Sequence, residues 1–444
     1  MLVGWPSPLT VTLPVPPIST RIPLGRAYML ASGAMREAER VGLPARSITP
    51  IGGLRRYAPA ISDVSLLAVA PTSDHPELLT RFARLPAVAA ILSRSLSHVT
   101  IANERGAITL HVAVPEEAGS ALVWHTGSLA HTTQLQARAQ RMGFAFESGR
   151  LLDRHGQPMI TETEERFYEH LGLPGIAPEL REGMDEIAAA ERGDLPGLVS
   201  ASDIRGDLHM HSTWSDGRDT IDQMAFASLR LGYEYVAITD HSERSLASRQ
   251  LAAKDIARQR TDIGKVQSRV KRLEILHGIE VDIMPDGSLD FDDEQLAGFD
   301  IVLASLHDHA GHDGAMLTER YLRAIRHPLV NVITHPANRT PARSEGYNVN
   351  FDVLFAAAAE TGTAMEVDGA PGHLDLDGAL ARRAVAAGAT LVIDSDCHRS
   401  DGLARQMRFG VGTARRGWIE PAHVLNTRGL EEVRSFIARK RARK

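Results

Sequence analysis

Cysteine is almost absent from this sequence, since its 444 residues include one, Cys397. A disulfide within the chain is therefore excluded, and a reducing compartment is expected. Long hydrophobic runs are also lacking, so no segment is predicted to span a bilayer. The amino-terminal residues lack the basic segment and apolar run of a signal peptide. These absences predict a cytoplasmic protein that makes no use of a membrane.

The sequence also lacks a large excess of charge of one sign. Its formal net charge is -6, and 23% of its residues are charged. Binding to nucleic acid through overall positive charge is therefore unsupported, and any such contact must come from local patches. No repeat of solenoid period and no low-complexity block is present. The length is sufficient for two or three domains with sizeable cores.

Alternating strand and helix patterns fill the chain after residue 200. Stretches that can form helices, such as 219–231, 251–272, 351–361 and 378–387, separate most of the apolar runs. This alternation predicts a parallel sheet. No Gly-rich phosphate motif follows the first run, so a closed barrel of seven strand-helix units is favoured over a nucleotide-binding open sheet. The seven runs are centred on Leu208, Val236, Leu276, Val302, Val332, Met365 and Val392.

Histidine and carboxylate side chains recur where these apolar runs end. The chain contains 19 histidines, and one at the end of a strand is usually an ordinary surface or core residue. Here the pattern repeats at six of seven runs, and the carboxyl-terminal rim of a barrel holds its chemistry. A cluster of imidazoles and carboxylates at one rim indicates a metal site. The residues are His209, His211, Asp216, Asp240, His241, Glu280, His307, His335, Asp396 and His398.

Two of these segments resemble the motifs of a known family. Residues 206–217 (GDLHMHSTWSDG) and 238–242 (ITDHS) are similar to the polymerase-and-histidinol-phosphatase (PHP) motifs at the carboxyl terminus of bacterial X-family DNA polymerases. The resemblance covers about residues 21–430. It implies an α/β fold in which a distorted (β/α)7 barrel occupies residues 201–444. An extended arm (1–20), a degenerate α+β nucleotidyltransferase-like palm (21–135) and a small thumb with a linker (136–200) are expected to precede the barrel.

The resemblance also implies a site for three divalent ions, which would be Mn, Zn or Fe because the ligands are nitrogen and oxygen only. Glu280 would bridge the first two ions. The implied ligands are His209, His211, Glu280 and Asp396 for the first ion, His307 and His335 with Glu280 for the second, and Asp216, His241 and His398 for the third.

Such a centre suits hydrolysis of phosphate esters by a metal-bridging hydroxide. Arg339, four residues after His335, is a candidate phosphate clamp, with an ordinary surface arginine as the alternative. His309 is a candidate general acid or phosphate contact, with an exposed loop histidine as the alternative. Asp240 is expected to orient ligand histidines. Glu366 ends a strand as well, and its role stays open.

The amino-terminal half resembles an X-family polymerase that has lost its catalytic carboxylates. The similar stretches are 50–56 (PIGGLRR), 124–131 (WHTGSLAH) and, in the thumb, 171–183 (LGLPGIAPELREG). Nucleotidyl transfer needs carboxylates that hold two Mg ions. Of the family's three aspartates only Asp63 remains, while Ser65 and Thr109 occupy the other two positions. No polymerase activity is therefore expected.

The favoured function is hydrolysis of phosphoester bonds in DNA, as a 3'-5' exonuclease or an abasic-site or 3'-end processing enzyme of DNA repair. A small-molecule phosphatase of the histidinol-phosphatase type is the alternative, and a non-catalytic DNA-binding protein is a third possibility. DNA is accordingly the expected partner, a small phosphate ester is the other, and the oligomeric state is open. The candidate DNA contacts are Arg55, Arg56, Arg415 and Arg416.

Overall fold

The first part of the chain folds as a five-stranded sheet with helices packed on both faces. The computed structural model describes residues 21–442, so the arm predicted for residues 1–20 lies outside the described residues. The elements of this part are β1 (Ile22–Pro23), α1 (Leu24–Arg40), β2 (Ser47–Pro50), α2 (Gly52–Arg55), β3 (Ala60–Ile61), β4 (Val64–Val69), α3 (His75–Phe82), β5 (Ala90–Arg94), β6 (His98–Asn103), β7 (Gly106–Ala113) and α4 (Ala118–Thr126).

The strand order of this palm sheet is β2-β4-β7-β6-β5. β4 and β7 run parallel, and the other neighbouring strands are antiparallel. Alternation along β4 and β7 directs Leu66, Ala68, Ile108 and Leu110 to a core that also contains side chains of α1 and α3. The opposite face therefore carries the three positions where the polymerase carboxylates are expected.

A small thumb follows the palm. Its elements are α5 (Leu129–Arg141), β8 (Ala145–Glu147), β9 (Arg150–Leu152), α6 (Glu164–His170) and α7 (Glu186–Arg192). Helix α7 begins at Glu186, directly after a turn. Gly183 takes a left-handed φ of 77°, and the Glu186 carboxylate accepts hydrogen bonds from the Gly183 and Met184 amides. These contacts stabilise the turn that precedes the helix.

Seven parallel strands in chain order form the barrel of the second half. An isolated parallel bridge between Met210 and Cys397 links its first and last strands. The predicted α/β fold with a (β/α)7 barrel is confirmed. The elements are β10 (Gly206–Asp207), α8 (Ile221–Arg230), β11 (Tyr235–Ile238), α9 (Ile256–Arg269), β12 (Glu274–Asp282), α10 (Asp293–Ala297), β13 (Ile301–Ser305), α11 (Gly314–Arg326), β14 (Val332–Ile333), α12 (Phe351–Thr361), β15 (Ala364–Asp368), α13 (Gly378–Ala386), β16 (Leu391–Asp394), α14 (Leu403–Arg416) and α15 (Leu430–Arg441).

The two mouths of the barrel differ in chemistry. Helix α15 covers the amino-terminal ends of the strands, where Val433, Phe436 and Ile437 join apolar side chains of the barrel interior. Arg434 at this end pairs with Glu274, the first residue of β12. The clustered histidines and carboxylates lie at the opposite, carboxyl-terminal mouth. None of the helices in residues 21–442 combines the length and apolar character that crossing a bilayer requires.

Palm and barrel share packing surfaces. Leu374, in the loop after β15, and Phe409, on α14, belong to the core of the palm. The Phe409 ring meets Tyr28 of α1 edge to face, with centroids 5.2 Å apart. A Cβ on Gly25 would lie 2.5 Å from Cβ of Pro371. The absence of a side chain at Gly25 thus lets α1 approach the loop between β15 and α13.

Candidate metal centre

The nine predicted ligands come from the ends of six barrel strands and lie together at one mouth of the barrel. Glu280, inside the long strand β12, is fully buried at the middle of the group. Its two carboxylate oxygens lie between 2.8 and 3.8 Å from a nitrogen of each of five histidines. These histidines are His209, His211, His241, His307 and His335.

The first group of candidate ligands is contributed by strands β10 and β16. Nε2 of His211 lies 3.2 Å from Nε2 of His209 and 3.1 Å from Oδ1 of Asp396. Two ligands bound at about 2.1 Å to one tetrahedral ion would be separated by a similar distance. Donor atoms of all three residues lie within 4.8 Å of one another. Together with Glu280, this group can hold one divalent ion.

Two further groups flank the first. Oδ1 of Asp216 lies 3.2 Å from Nε2 of His398 and 3.5 Å from Nε2 of His241, and His211 reaches the same group. On the other side, Oε1 of Glu280 lies 3.0 Å from Nε2 of His335 and 3.8 Å from Nε2 of His307. Donor atoms of His241, Glu280 and His307 also lie within 4.8 Å of one another, so His241 adjoins both flanking groups. The division of the ligands among three ions stays a prediction.

Carboxylates behind the histidines fix their orientation. Oε1 of Glu366 lies 2.6 Å from Nδ1 of His209, while its Oε2 accepts a hydrogen bond from the His335 amide. Oδ1 of Asp282 lies 3.0 Å from Nδ1 of His307. A hydrogen bond at Nδ1 leaves the Nε2 lone pair free to bind a metal. Glu366, whose role the sequence left open, therefore supports two candidate ligands.

The sequence predicts that Asp240 orients ligand histidines, but its hydrogen-bond partners in the structure are other residues. Its carboxylate accepts hydrogen bonds from the amides and hydroxyls of Ser212 and Ser215 and from the Gln259 side chain. These bonds occupy both oxygens of a fully buried side chain. Asp240 therefore stabilises the loop that joins His211 to Asp216, and the structure does not support its direct participation in catalysis.

The charges of the centre are mutually dependent. Burial opposes protonation of His335, but the hydrogen bond and charge of Glu280 outweigh it and raise its pKa to about 9. Burial likewise opposes protonation of His398, whereas Asp216 and Asp396 raise its pKa to about 9. By contrast, burial and the neighbouring imidazoles lower the pKa of His211 to about 3. The carboxylates thus attract cations, and metal binding would replace protons on the imidazoles.

The donor set fits divalent ions. Oε2 of Glu280, Oδ1 of Asp216 and Nδ1 of His335 are buried and make no hydrogen bond. Unpaired buried polar atoms are costly, and cation binding would satisfy carboxylate oxygens directed into the centre. Imidazole and carboxylate ligands without thiolate suit Mn, Zn or Fe.

The two predicted substrate contacts differ in their surroundings. Arg339 is buried, and its Nη1 donates a hydrogen bond to Oδ2 of Asp377 at 2.8 Å. Because this carboxylate already neutralises the guanidinium, the structure does not support a phosphate clamp at Arg339. His309 lies on an exposed loop, where its Nδ1 accepts a hydrogen bond from the Gly311 amide. Its acid role remains a prediction.

The four arginines predicted to contact DNA are instead engaged within the molecule. Their side chains are between 13% and 22% exposed. Each guanidinium also pairs with a carboxylate. The structure therefore does not support phosphate contacts from these residues. They join palm, thumb and barrel through four ion pairs: Arg55 with Glu164, Arg56 with Glu182, Arg415 with Glu179 and Arg416 with Glu182.

The degenerate polymerase positions lie side by side on the palm. Ser65 on β4 pairs in register with Thr109 on β7, and the Ser65 hydroxyl donates a hydrogen bond to Oδ2 of Asp63 at 3.0 Å. Nearby, burial lowers the pKa of His111 to about 4 and of His125 to about 3. Neither imidazole replaces the negative charge of the missing aspartates.

Comparison with known proteins agrees with both halves of this description. The PHP domain family matches residues 207–335, and the DNA polymerase beta thumb family matches residues 121–182. The DNA polymerase/3'-5' exonuclease PolX of Bacillus subtilis is 34% identical over 393 residues, which are 87% of this chain and 68% of the relative. The chain belongs to the PolX family of X-family DNA polymerases that carry a PHP domain. The predicted family is thereby confirmed.

Other relatives match about half of this chain. A probable phosphatase of Syntrophotalea carbinolica is 26% identical over 250 residues, which cover 54% of this chain and 98% of that protein. A probable phosphatase of Shewanella oneidensis is 31% identical over 202 residues, which cover 43% and 75% respectively. About half of this PolX family member is therefore similar to proteins described as probable phosphatases, and the comparisons support a phosphoesterase.

We expect no template-directed nucleotide incorporation by this PolX family member. One carboxylate, Asp63, cannot hold the two Mg ions that nucleotidyl transfer requires. The measurement is extension of a gapped primer with Mg or Mn, with Asp63→Ala as the matched variant. Incorporation that disappears in Asp63→Ala would show that the palm retains its chemistry.

Proposed function

We propose that this chain is a metal-dependent phosphoesterase that hydrolyses phosphoester bonds in DNA and lacks polymerase activity. The observation that carries the proposal is the gathering of eight other histidine and carboxylate side chains around buried Glu280. Structural zinc sites enclose their metal with protein ligands, whereas catalytic sites keep an open position. The second and third candidate positions have few protein ligands each, so water or a phosphate oxygen can complete them.

The residues of the centre have separable roles in this mechanism. Three bound divalent ions would supply Lewis acidity and lower the pKa of a water that attacks phosphorus. Glu280, at the middle of the group, would supply carboxylate oxygens as metal ligands. Glu366 and Asp282 would hold His209 and His307 in the orientation for binding. His309, at the exposed rim, is the candidate donor of a proton to the leaving oxygen.

The amino-terminal half supports DNA as the substrate class. The thumb region is similar to a DNA polymerase thumb, and the Bacillus subtilis relative is described as a polymerase and 3'-5' exonuclease. Ion pairs hold this half against the barrel, so its surface has a defined position relative to the metal centre. The favoured reactions are 3'-5' exonuclease, abasic-site or 3'-end processing.

A small-molecule phosphatase of the histidinol-phosphatase type is the second candidate. One observation favours it, since about half of this chain matches nearly the whole length of a probable phosphatase. In addition, the four arginines that the sequence suggested as phosphate contacts are engaged in ion pairs within the molecule. Comparison of substrates on the full chain separates the two candidates.

The test is hydrolysis by the Mn-loaded full chain of single-stranded DNA, an abasic duplex, a 3'-phosphorylated duplex and histidinol phosphate. We expect kcat/KM for the best DNA substrate to exceed that for histidinol phosphate by about tenfold or more, because DNA gains contacts outside the centre. Activity on DNA should fall with rising salt. A parallel preparation of Glu280→Gln controls for contaminating nucleases. A preference for histidinol phosphate would establish the phosphatase instead.

A further inference from the structure

Two residues beside the metal centre have no role in the mechanism above. Asp368 is the last residue of β15, and His373 lies in the loop between β15 and α13. Donor atoms of Asp368, His373 and Asp396 all lie within 4.8 Å of one another. The end of β15, the loop that follows it and the segment after β16 thus bring two carboxylates and one imidazole close together.

Both residues have buried polar atoms without a partner. Asp368 is fully buried, and its Oδ2 makes no hydrogen bond. Nδ1 of His373 is buried and also makes none. A buried carboxylate oxygen without a partner is unfavourable, and a bound cation would supply the missing partner. The arrangement therefore points to a ligand.

The position of the pair relates it to the centre already described. Asp368 follows Glu366 by two residues along β15, so the two side chains point to the same side of the strand. The His373 ring stacks on the ring of His335, with centroids 5.0 Å apart and planes inclined by 21°. Asp396 belongs to this group as well as to the first ion group, and a carboxylate has two oxygens with which it can bridge two ions.

The loop that carries His373 is held firmly. Leu374, the next residue, is fully buried in the palm core. At Gly369 a Cβ would lie 2.0 Å from the carbonyl oxygen of Gln406 on α14, so the loop backbone packs directly on that helix. His373 is therefore positioned by the protein before any ligand binds, as a metal ligand should be.

We propose that Asp368 and His373, together with Asp396, bind a fourth divalent cation next to the three-ion centre. The proposal rests on the proposed function, because Asp396 is shared with the first ion. Two oxygens and one nitrogen suit a borderline ion such as Mn²⁺ or Zn²⁺. Three protein ligands leave open positions for water or a phosphate oxygen. The pair would thus extend the surface on which a phosphate group is held.

Metal stoichiometry tests this site on the full chain. The protein is stripped with a chelator and titrated with Mn²⁺ alone, and bound Mn²⁺ is counted by electron paramagnetic resonance and elemental analysis. Asp368→Asn preserves size and removes the charge, and His373→Gln removes the imidazole. Each variant is expected to bind one ion fewer per chain than the unaltered protein and to retain the other ions.

The matched control is the double variant Asp293→Asn, His327→Gln. These two residues form another Asp–His pair, with atoms 3.2 Å apart, away from the centre on α10 and just after α11. The control variant should bind the same number of Mn²⁺ ions per chain as the unaltered protein. An unchanged count in both test variants overturns the fourth site, as does loss of every ion in either of them. If the unaltered protein itself binds less than one ion, the proposed function fails instead.

Discussion

Replacing Glu280 with glutamine is expected to lower the rate of phosphoester hydrolysis by about a thousandfold or more. Loss of bridging charge affects two ions at once, and metal ions contribute several kcal/mol of charge stabilisation. Glu280 lies within 3.8 Å of five histidine side chains. Glutamine keeps the shape of the side chain, so the effect should come from charge and metal binding rather than from packing.

The measurement pairs turnover of the best DNA substrate with the metal content of the protein. Glu274→Gln is the matched control, because Glu274 begins the same strand but lies at the other mouth of the barrel, in a surface pair with Arg434. It should leave both quantities unchanged. Activity of Glu280→Gln within threefold of the unaltered protein would contradict the proposed centre.

Replacing Glu164 with alanine is expected to destabilise the thumb by about 3 to 5 kcal/mol, the usual cost of leaving a buried charge without its partner. Arg181, whose side chain is 2% exposed, pairs with Glu164. Arg55 donates two hydrogen bonds to the same carboxylate, at 2.6 and 2.8 Å. Removing this carboxylate leaves two guanidiniums without their counter-charge, one of them almost completely buried.

Hydrogen exchange of thumb amides measures the loss, because it reports local opening free energies. Glu169→Ala on the same helix is the control. Glu169 pairs with Arg166 in a side-chain pair more than half exposed, and such surface pairs contribute about 0 to 1 kcal/mol. If thumb amides were equally protected from exchange in Glu164→Ala and Glu169→Ala, the buried ion pair would contribute no more to stability than the exposed one.

The pH dependence of this stabilisation has a definite sign. Burial raises the pKa of Glu164, but the hydrogen bond from Arg55 and the charge of Arg181 outweigh it, so the folded pKa is lower than usual. The contribution is therefore present above the ordinary pKa of glutamate and is lost as pH falls through the lowered folded pKa. The difference between Glu164→Ala and the unaltered protein should shrink in acid.

The barrel and the grouping of its polar residues could be predicted because both follow from local pattern. Parallel strands must end at one rim, so residues such as His209 and His335 converge wherever the strand order permits. Helix starts are harder to predict from pattern. The sequence predicts a helix within 251–272, but α9 begins only at Ile256, after a turn at Ala253–Asp255.

The carboxylate partners of the four arginines could not be predicted, because sequence shows a charge but not its partner. Arg55 and Glu164 are separated by 109 positions, and Arg415 and Glu179 by 236. No local periodicity relates such residues, and two adjacent arginines without a visible partner resemble a phosphate contact. Only the packing of palm, thumb and barrel against one another brings the carboxylates to them.

Asp368 and His373 were not predicted as metal ligands from the sequence, for different reasons. Asp368 ends a strand two residues after Glu366, so the rule that found the other carboxylates could have found it too. His373 lies in a loop with no periodic pattern. Its approach to His335 depends on the course of that loop between α14 and the palm.

The burial of Leu374 and Phe409 in the palm core bears on how this chain can evolve. A mutation at Ser65 or Thr109 changes only the face of the palm sheet opposite that core and leaves the core intact. Deleting the palm, however, would expose Leu374, in the loop after β15 that adjoins the metal centre, and Phe409 on α14, the helix that follows Asp396 and His398. Selection for hydrolysis alone would then preserve the palm as inherited scaffold, long after its own reaction had disappeared.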